Sequence, residues 1–571
     1  MSKRYIVNTL CVAMMGTQLG TGQTPATVPA SSAPASIVSA APSAEDLRQL
    51  REKIAQQEEQ IKRLQQAVDE QQKVLDRSLA ASEQPANGAT AAGGTTVARS
   101  NAASDKPVQL IPAVGGTRPL VAAATTAGGG QHNITMPPSK LAISIGNTTF
   151  TPLGFVDATF FGRSTNVGSG IGSNFGTIPY NTLATGHLSE ANFSTQNSRI
   201  GFRVDSEVLG AKVLGYVEAD FLGNQPANVF VSSNADTFRM RNVFVDVQKD
   251  GFEFLGGQDW SLMTPNRKGL SPLPSDIFYT QNMDTNYQAG LVWSRQTQFR
   301  FIAHPNENLA FGVSLENPEQ YVGGANGSGS PVFPTALNSA ITGQFNNGSG
   351  TNYSAPNLHP DIIFKGAYDG HVGDKLMHVE AAGLVRSFKF ANGAGTPVKF
   401  DTYSTTAASG SVNANLEVVK NVRLIANTFF GSGNGRYAFA QAPDVIVRAD
   451  GSISPIHTYS TVDGFEANLT KNTLLYAYYG GIYIGRNVAY DANGKTLVGY
   501  GFRGSANSQN RAIQEGTIGI VRTFWKNENY GALSLITQYS YLTRDPWAVA
   551  TGSPKATHTN MYWVDLRYTL P

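Results

Sequence analysis

The chain has 571 residues, longer than one ordinary domain, with 15% charged residues, 10% aromatics, 59 Gly and 22 Tyr. That balance is foreign to a soluble enzyme and suits a structure with one face toward lipid, many turns and amphipathic aromatics at interfaces. A formal net charge of +2 gives no ground for nucleic-acid binding, and a mean hydropathy of −0.20 argues against a helical membrane protein.

The first element is a short apolar stretch behind Lys3 and Arg4. It has the layout of a secretory signal peptide over residues 1–23, with cleavage between Gly20 and Gln23. A lipoprotein cysteine is the rival reading of Cys11, but "NTLC" lacks the small residues that should precede it. Cys11 is the only cysteine, so disulfides and cysteine metal sites within one chain are excluded. Beyond this region no apolar run approaches the roughly 20 residues a spanning helix needs.

A low-complexity stretch of Ala, Ser and Pro follows over 24–42, and then a heptad pattern begins. Leu47, Ile54, Ile61, Val68 and Leu75 recur every seventh residue, with Leu50 and Leu64 at the matching d positions. Ser43 and Asp46 open the segment as a helix cap with an acidic partner three residues on. The spacing predicts a helical coiled coil over 43–79, because a lone helix has nothing to bury so narrow a stripe against. Gln57, Gln71 and Ser78 weaken the d positions and leave dimer or trimer open. Residues 80–140, rich in Ala, Gly, Thr and Ser, read as a flexible linker.

From about Thr151 to the end the period becomes two, and a barrel domain is expected over 141–571. In the last segment Tyr562, Val564, Leu566, Tyr568 and Leu570 alternate with Trp563, Asp565, Arg567 and Thr569. In "SRIGFRVDS" Ile200, Phe202 and Val204 alternate with Arg199 and Arg203. About sixteen such runs follow one another, an even number as bacterial barrels require. Their connections alternate in length. Tight polar turns occur at 207–210, 248–251, 305–308, 420–421, 470–472 and 525–529, with a somewhat longer return between "AYDG" and "KLMH". Long connections run over 164–195, 263–295, 317–359 and 431–458. Tight turns on the periplasmic side and long loops outside are the habit of outer-membrane barrels. The expected fold is therefore an all-β transmembrane barrel of about 16 antiparallel strands, with an N-terminal α-helical coiled coil in the periplasm.

The stretch from Ser198 to Pro265, with "SRIGFR", "VLGYVEADFLG", "FRMRNVFVDV" and "GFEFLGGQDWSLMTP" in that order, resembles the bacterial porin superfamily. With the coiled coil and the Ala/Gly-rich linker, the whole chain is similar to the DcaP-like trimeric outer-membrane porins. The resemblance implies a homotrimer of sixteen-stranded barrels, passing small, mostly anionic solutes such as dicarboxylates. One departure is the terminus: porins of this superfamily commonly end in Phe, whereas here Pro571 follows Leu570. That bears on the detail of recognition by the barrel-assembly machinery.

A pore needs charges at a constriction, and no catalytic group. Arginines recur on the expected inner face: Arg163, Arg199, Arg203, Arg239, Arg241, Arg300, Arg386, Arg522 and Arg567. Arginine stays protonated and its planar fork matches a carboxylate. Arg199, Arg203, Arg239 and Arg241 come from neighbouring strands and are expected to form a basic ladder, with Glu218 and Asp220 beside it. The alternative is that these charges only wet and brace the wall. In "RMRNVFVDVQ" Asp246 and Gln248 have the opposite parity to the arginines, so a bulge or strand end must intervene. The connection over 263–295 follows the fifth strand, and in the superfamily that loop narrows the lumen. Here it offers Arg267, Lys268, Asp276, Tyr279 and Asp284, unless it is an ordinary surface loop.

The eight His are dispersed and lie in no catalytic or metal-ligand spacing, and Gly runs such as "GSGNG" lack a following Lys. No enzyme activity, cofactor or metal is expected. The partners expected are outer-membrane lipid, small anionic solutes and further copies of the chain. A barrel-anchored tether or adhesin is the second reading, in which the periplasmic coiled coil favours bracing or cell-wall contact over adhesion.

Overall fold

The computed structural model describes residues 139–223, 237–273, 278–279, 287–323, 328–345, 356–439 and 441–571. The expected signal peptide, low-complexity segment, coiled coil and nearly all of the linker lie outside the described residues. Two short strands accompany the first long one: β1 (Ile143–Ile145) and β3 (Glu190–Ser194) flank β2 (Thr148–Arg163). Then come β4 (Arg199–Val208), β5 (Ala211–Asp220), β6 (Arg239–Lys249), β7 (Phe252–Trp260), β8 (Arg295–Ala303) and β9 (Leu309–Glu316). After helix α1 (Asn338–Gln344) follow β10 (Asp361–Val372), β11 (Lys375–Ala394), β12 (Lys399–Val419) and β13 (Val422–Ser432). The hairpins β14 (Val445–Val447) with β15 (Ile453–Pro455), and β18 (Asn487–Tyr490) with β19 (Leu497–Tyr500), belong to connections. The wall is completed by β16 (His457–Thr470), β17 (Thr473–Ile484), β20 (Asn510–Asn527), β21 (Gly531–Pro546) and β22 (Thr557–Thr569).

Sixteen of these pair antiparallel in chain order and close on themselves, so the expected strand count holds. Closure is made by β2, which pairs with β22 from Phe155 to Arg163 and with β4 from Thr148 to Phe155. Short β1 and β3 complete its two ends, and Ser139 Oγ donates to the Pro571 carbonyl at 2.7 Å. A closed ring leaves no unpaired edge, which a barrel surrounded by lipid requires.

The period of two sorts the side chains. On β4 Ile200 and Phe202 are exposed while Arg199 and Arg203 are buried; on β8 Phe299 and Phe301 are exposed while Gln298 and Arg300 are buried. The outside is apolar and the inside polar and charged. One end of the ring carries tight turns, among them Leu209–Gly210 and Asp250–Gly251. Both central residues there have positive φ (52° and 74°, 51° and 82°), the type I′ geometry that matches strand twist.

Two details differ from the expected connections. The return after "AYDG" is not longer: β10 and β11 stay paired down to Val372 and Lys375, leaving a two-residue turn. At the opposite end β11 and β12 run on for 20 and 21 residues and meet across only residues 395–398, so one loop-end connection is short. A membrane strand needs about 9–11 residues, so this hairpin extends well beyond the apolar band. Its inward Phe388, Phe390 and Tyr403 pack with Leu337, Ile341 and Phe345 of the connection that contains α1.

Candidate functional site

The connection between β7 and β8, residues 261–294, does not stay at the rim. Trp260 and Trp293 pack at 3.8 Å between ring centroids where it leaves and rejoins the wall. Between them the described part of the chain reaches β9, β10, β11, β16, β17 and β20. The Leu262 amide donates to Glu316 (2.8 Å) on β9, the Asn266 amide to Glu380 (3.1 Å) on β11 and the Gly269 amide to Asp369 (2.8 Å) on β10. Lys365 Nζ donates to the Thr264 carbonyl at 2.7 Å and pairs with Glu380 at 2.8 Å. Arg267 pairs with Glu466 on β16 at 2.5 Å and lies 5.3 Å from the centre of the Tyr279 ring. On the return, the Ala289 amide donates to Glu515 (2.9 Å) on β20. Gly290, at φ 84°, passes so close to β17 that a Cβ would lie 2.3 Å from the Gly481 carbonyl oxygen. Buried amides away from a sheet need acceptors, and inward-facing carboxylates of the wall supply them. The loop thus crosses the interior and is held by side chains of strands opposite its root. Lys268 is exposed at this crossing; Asp276 and Asp284 lie outside the described residues.

The four ladder arginines are interleaved with acids. Arg241 donates to Glu218 (2.6 Å) and Asp220 (2.7 Å), Arg239 to both oxygens of Asp220 (2.9 and 2.6 Å). Arg199 lies 3.9 Å from Glu218, and Arg203 pairs with Asp205 at 2.5 Å. The change of parity on β6 is a bulge. Glu218 pairs with Asn242 but Ala219 with Met240, so Arg241 is the extra residue. Arg239 before the bulge, Arg241 within it, and Phe244 and Asp246 after it all take the inward side.

These groups differ in access to water. The side chains of Arg241, Glu218 and Asp220 are 1%, 6% and 1% exposed, whereas Arg239 is 32% exposed. The remaining arginines are mostly tied to one place. Arg163 holds Glu190 (2.7 Å) and the carbonyls of Gly170 and Ile171, fixing the connection after β2. Arg300 lies 3.3 Å from Asp259, Arg386 bridges Asp361 (3.0 Å) and Asp444 (3.1 Å), and Arg567 pairs with Asp157 (2.8 Å).

Arg522 departs from the expectation. It shares its parity with Ile518 and Ile520, which are 49% and 40% exposed, while Thr517 and Thr523 are buried. Its partner across the sheet is Leu535, and it donates to Thr473 Oγ1 at 2.6 Å. The side chain is therefore on the outer face, not in the lumen. At the centre of a bilayer an outward Arg costs about 2–4 kcal/mol, near the interface only about 0–1, which fits its place at the tight-turn end of β20.

The carboxylates that anchor the crossing loop, Glu316, Asp369, Glu380, Glu466 and Glu515, are not among the residues singled out in the sequence. Each has the inward parity of its strand, as in "FGVSLE" and "GFEANLT", so alternation alone could have marked them. Their loop partners could not be read off.

The fold and the inward-crossing loop define a sixteen-stranded barrel of the bacterial porin type. The sequence matches no protein-family model and none of the curated proteins. Among solved structures it is similar to the outer membrane channel DcaP of Acinetobacter baumannii, at 16% identity and a TM-score of 0.51, covering 75% of this chain and 98% of that one. An anion-selective porin from Comamonas acidovorans aligns at 13% identity and a TM-score of 0.42, over 74% and 99% of the two chains. The chain has the fold of a DcaP-like porin.

Proposed function

We propose that this protein is an outer-membrane channel through which small hydrophilic solutes diffuse, with a preference for anions of the dicarboxylate kind. The observation that carries the reading is a closed ring, apolar outside and charged inside, crossed by a loop that is held to inward-facing carboxylates of the wall. A soluble protein has no use for phenylalanines such as Phe299 and Phe364 in contact with water, at 63% and 54% exposure.

Support for anion preference comes from which charges water can reach. Within the ladder, Glu218 and Asp220 are sealed beneath Arg241, while Arg239 keeps access and Lys268 is exposed on the crossing loop. A passing solute senses the accessible charges most strongly. Asp205, 38% exposed beside Arg203, limits the preference. The tight-turn end is the periplasmic end in this reading. Once the signal peptide (1–23) is removed, the low-complexity segment (24–42), coiled coil (43–79) and linker (80–140) precede the barrel on that side, and the working unit is a homotrimer. Liposome swelling with a panel of carboxylates and matched neutral sugars tests it. Faster entry of dicarboxylates than of sugars of equal size is expected, and equal rates would remove the anion preference. A protein that inserts without admitting any solute would favour the tether or adhesin.

A further inference from the structure

Arg522 stands on the outer face of β20 near its tight-turn end, next to the turn that joins β16 to β17. The Thr523 amide donates to the Asn472 carbonyl at 2.9 Å, and exposed Lys471 precedes Asn472 in that turn. A bulge between Thr523 and Trp525 then alters the alternation: Arg522 pairs with Leu535 and Trp525 with Leu533, so both take the outer side. Phe524, in the bulge, is 52% exposed and Trp525 41%. Trp525 lies 6.1 Å from Tyr568 of β22 between ring centroids, and the Tyr568 hydroxyl donates to the Tyr530 carbonyl at 2.8 Å. Toward the middle of the wall the outer face turns aliphatic, with Ile518, Ile520 and Leu475. The next carboxylate along the chain after Arg522 is Glu528, in the turn beyond β20.

Two cations thus sit at the boundary between an aliphatic band and a cluster of aromatic rings. Amphipathic aromatics mark the headgroup level of a bilayer, and basic residues there attract anionic lipid. The bulge matters, because without it either Arg522 or Trp525 would turn inward.

We propose that the outer wall where β17 meets β20, at the tight-turn end, binds the phosphate headgroup of an anionic glycerophospholipid. Arg522 and Lys471 would contact the phosphate, Thr473 Oγ1 orients the guanidinium, and Phe524 and Trp525 cover the upper acyl chain. The proposal rests on the membrane reading above. In that orientation the lipid belongs to the periplasmic leaflet.

The test uses the full-length protein in phosphatidylethanolamine vesicles containing a minority of phosphatidylglycerol. Spin-labelled versions of each lipid report the fraction immobilised at the protein. Wild type is expected to prefer phosphatidylglycerol, and Arg522→Gln and Lys471→Gln should each reduce that preference by about fivefold, the factor equivalent to ~1 kcal/mol per basic residue near a surface. Arg522→Lys, which keeps the cation, should retain most of it. Millimolar inorganic phosphate should not displace the labelled lipid; displacement would mark an ion site and overturn the lipid assignment. A double variant that inserts and prefers phosphatidylglycerol as wild type does overturns the site alone. Failure of the wild type to insert overturns the membrane reading and the site with it.

Discussion

Arg239 and Arg241 are two residues apart on one strand, with both side chains inward, and the structure gives them different roles. Arg241 is enclosed between Glu218 and Asp220 and compensates two buried carboxylates. Removing one partner of such a pair leaves uncompensated charge in a poorly hydrated place, at about 3–5 kcal/mol. Arg241→Ala should therefore lower the temperature at which the detergent-solubilised barrel unfolds on a heat-modifiability gel. Arg239 is partly open to water and shares Asp220 with Arg241. Arg239→Ala should leave that temperature nearly unchanged while shifting the reversal potential toward cations. If the two variants exchange phenotypes, the division of roles is wrong. The sequence marks both arginines equally, since period two reports the face of a strand and says nothing of which partner lies deeper. Arg522 shows the limit of that rule when it is applied to charge alone: its apolar neighbours Ile518 and Ile520 share its parity, and they decide the face.

At the scale of elements, the strands and tight turns were legible because the lipid belt imposes an apolar residue at every second position. Legibility faded wherever that belt ends. The outer halves of β11 and β12, with Thr402, Ser404 and Thr406, meet water on their outer side, so alternation disappears although pairing continues. The turn after Val372 was obscured for the same reason, by Gly370, His371, Gly373 and Asp374. The bulge at Arg241 was foreseeable as a clash of parities, but its position needed the register. The crossing loop carries no periodicity at all, because its contacts are spread over β9, β10, β11, β16, β17 and β20. Its tight point is Gly290 against Gly481. Gly290→Val should force the loop off β17 there and cost about 1–3 kcal/mol through overpacking. Channels of this variant should conduct more than wild type and admit larger neutral sugars. Unchanged conductance in a folded variant would show that the loop does not limit the passage.

For the whole molecule, the expected coiled coil and linker are separable from the barrel in sequence, and the ring closes using residues from 148 onward. A chain truncated to begin at Lys140 should still give a heat-modifiable, detergent-resistant barrel, with lower stability of the proposed homotrimer. Inability of that chain to fold into detergent or lipid would contradict the modular organisation. Conduction itself is tested most directly in a planar lipid bilayer, by recording single channels of the full-length protein and then the reversal potential under a potassium chloride gradient. Stepwise openings with a reversal potential on the chloride side are the expected result. Stable insertion without conductance, or clear preference for potassium, would contradict an anion-favouring channel.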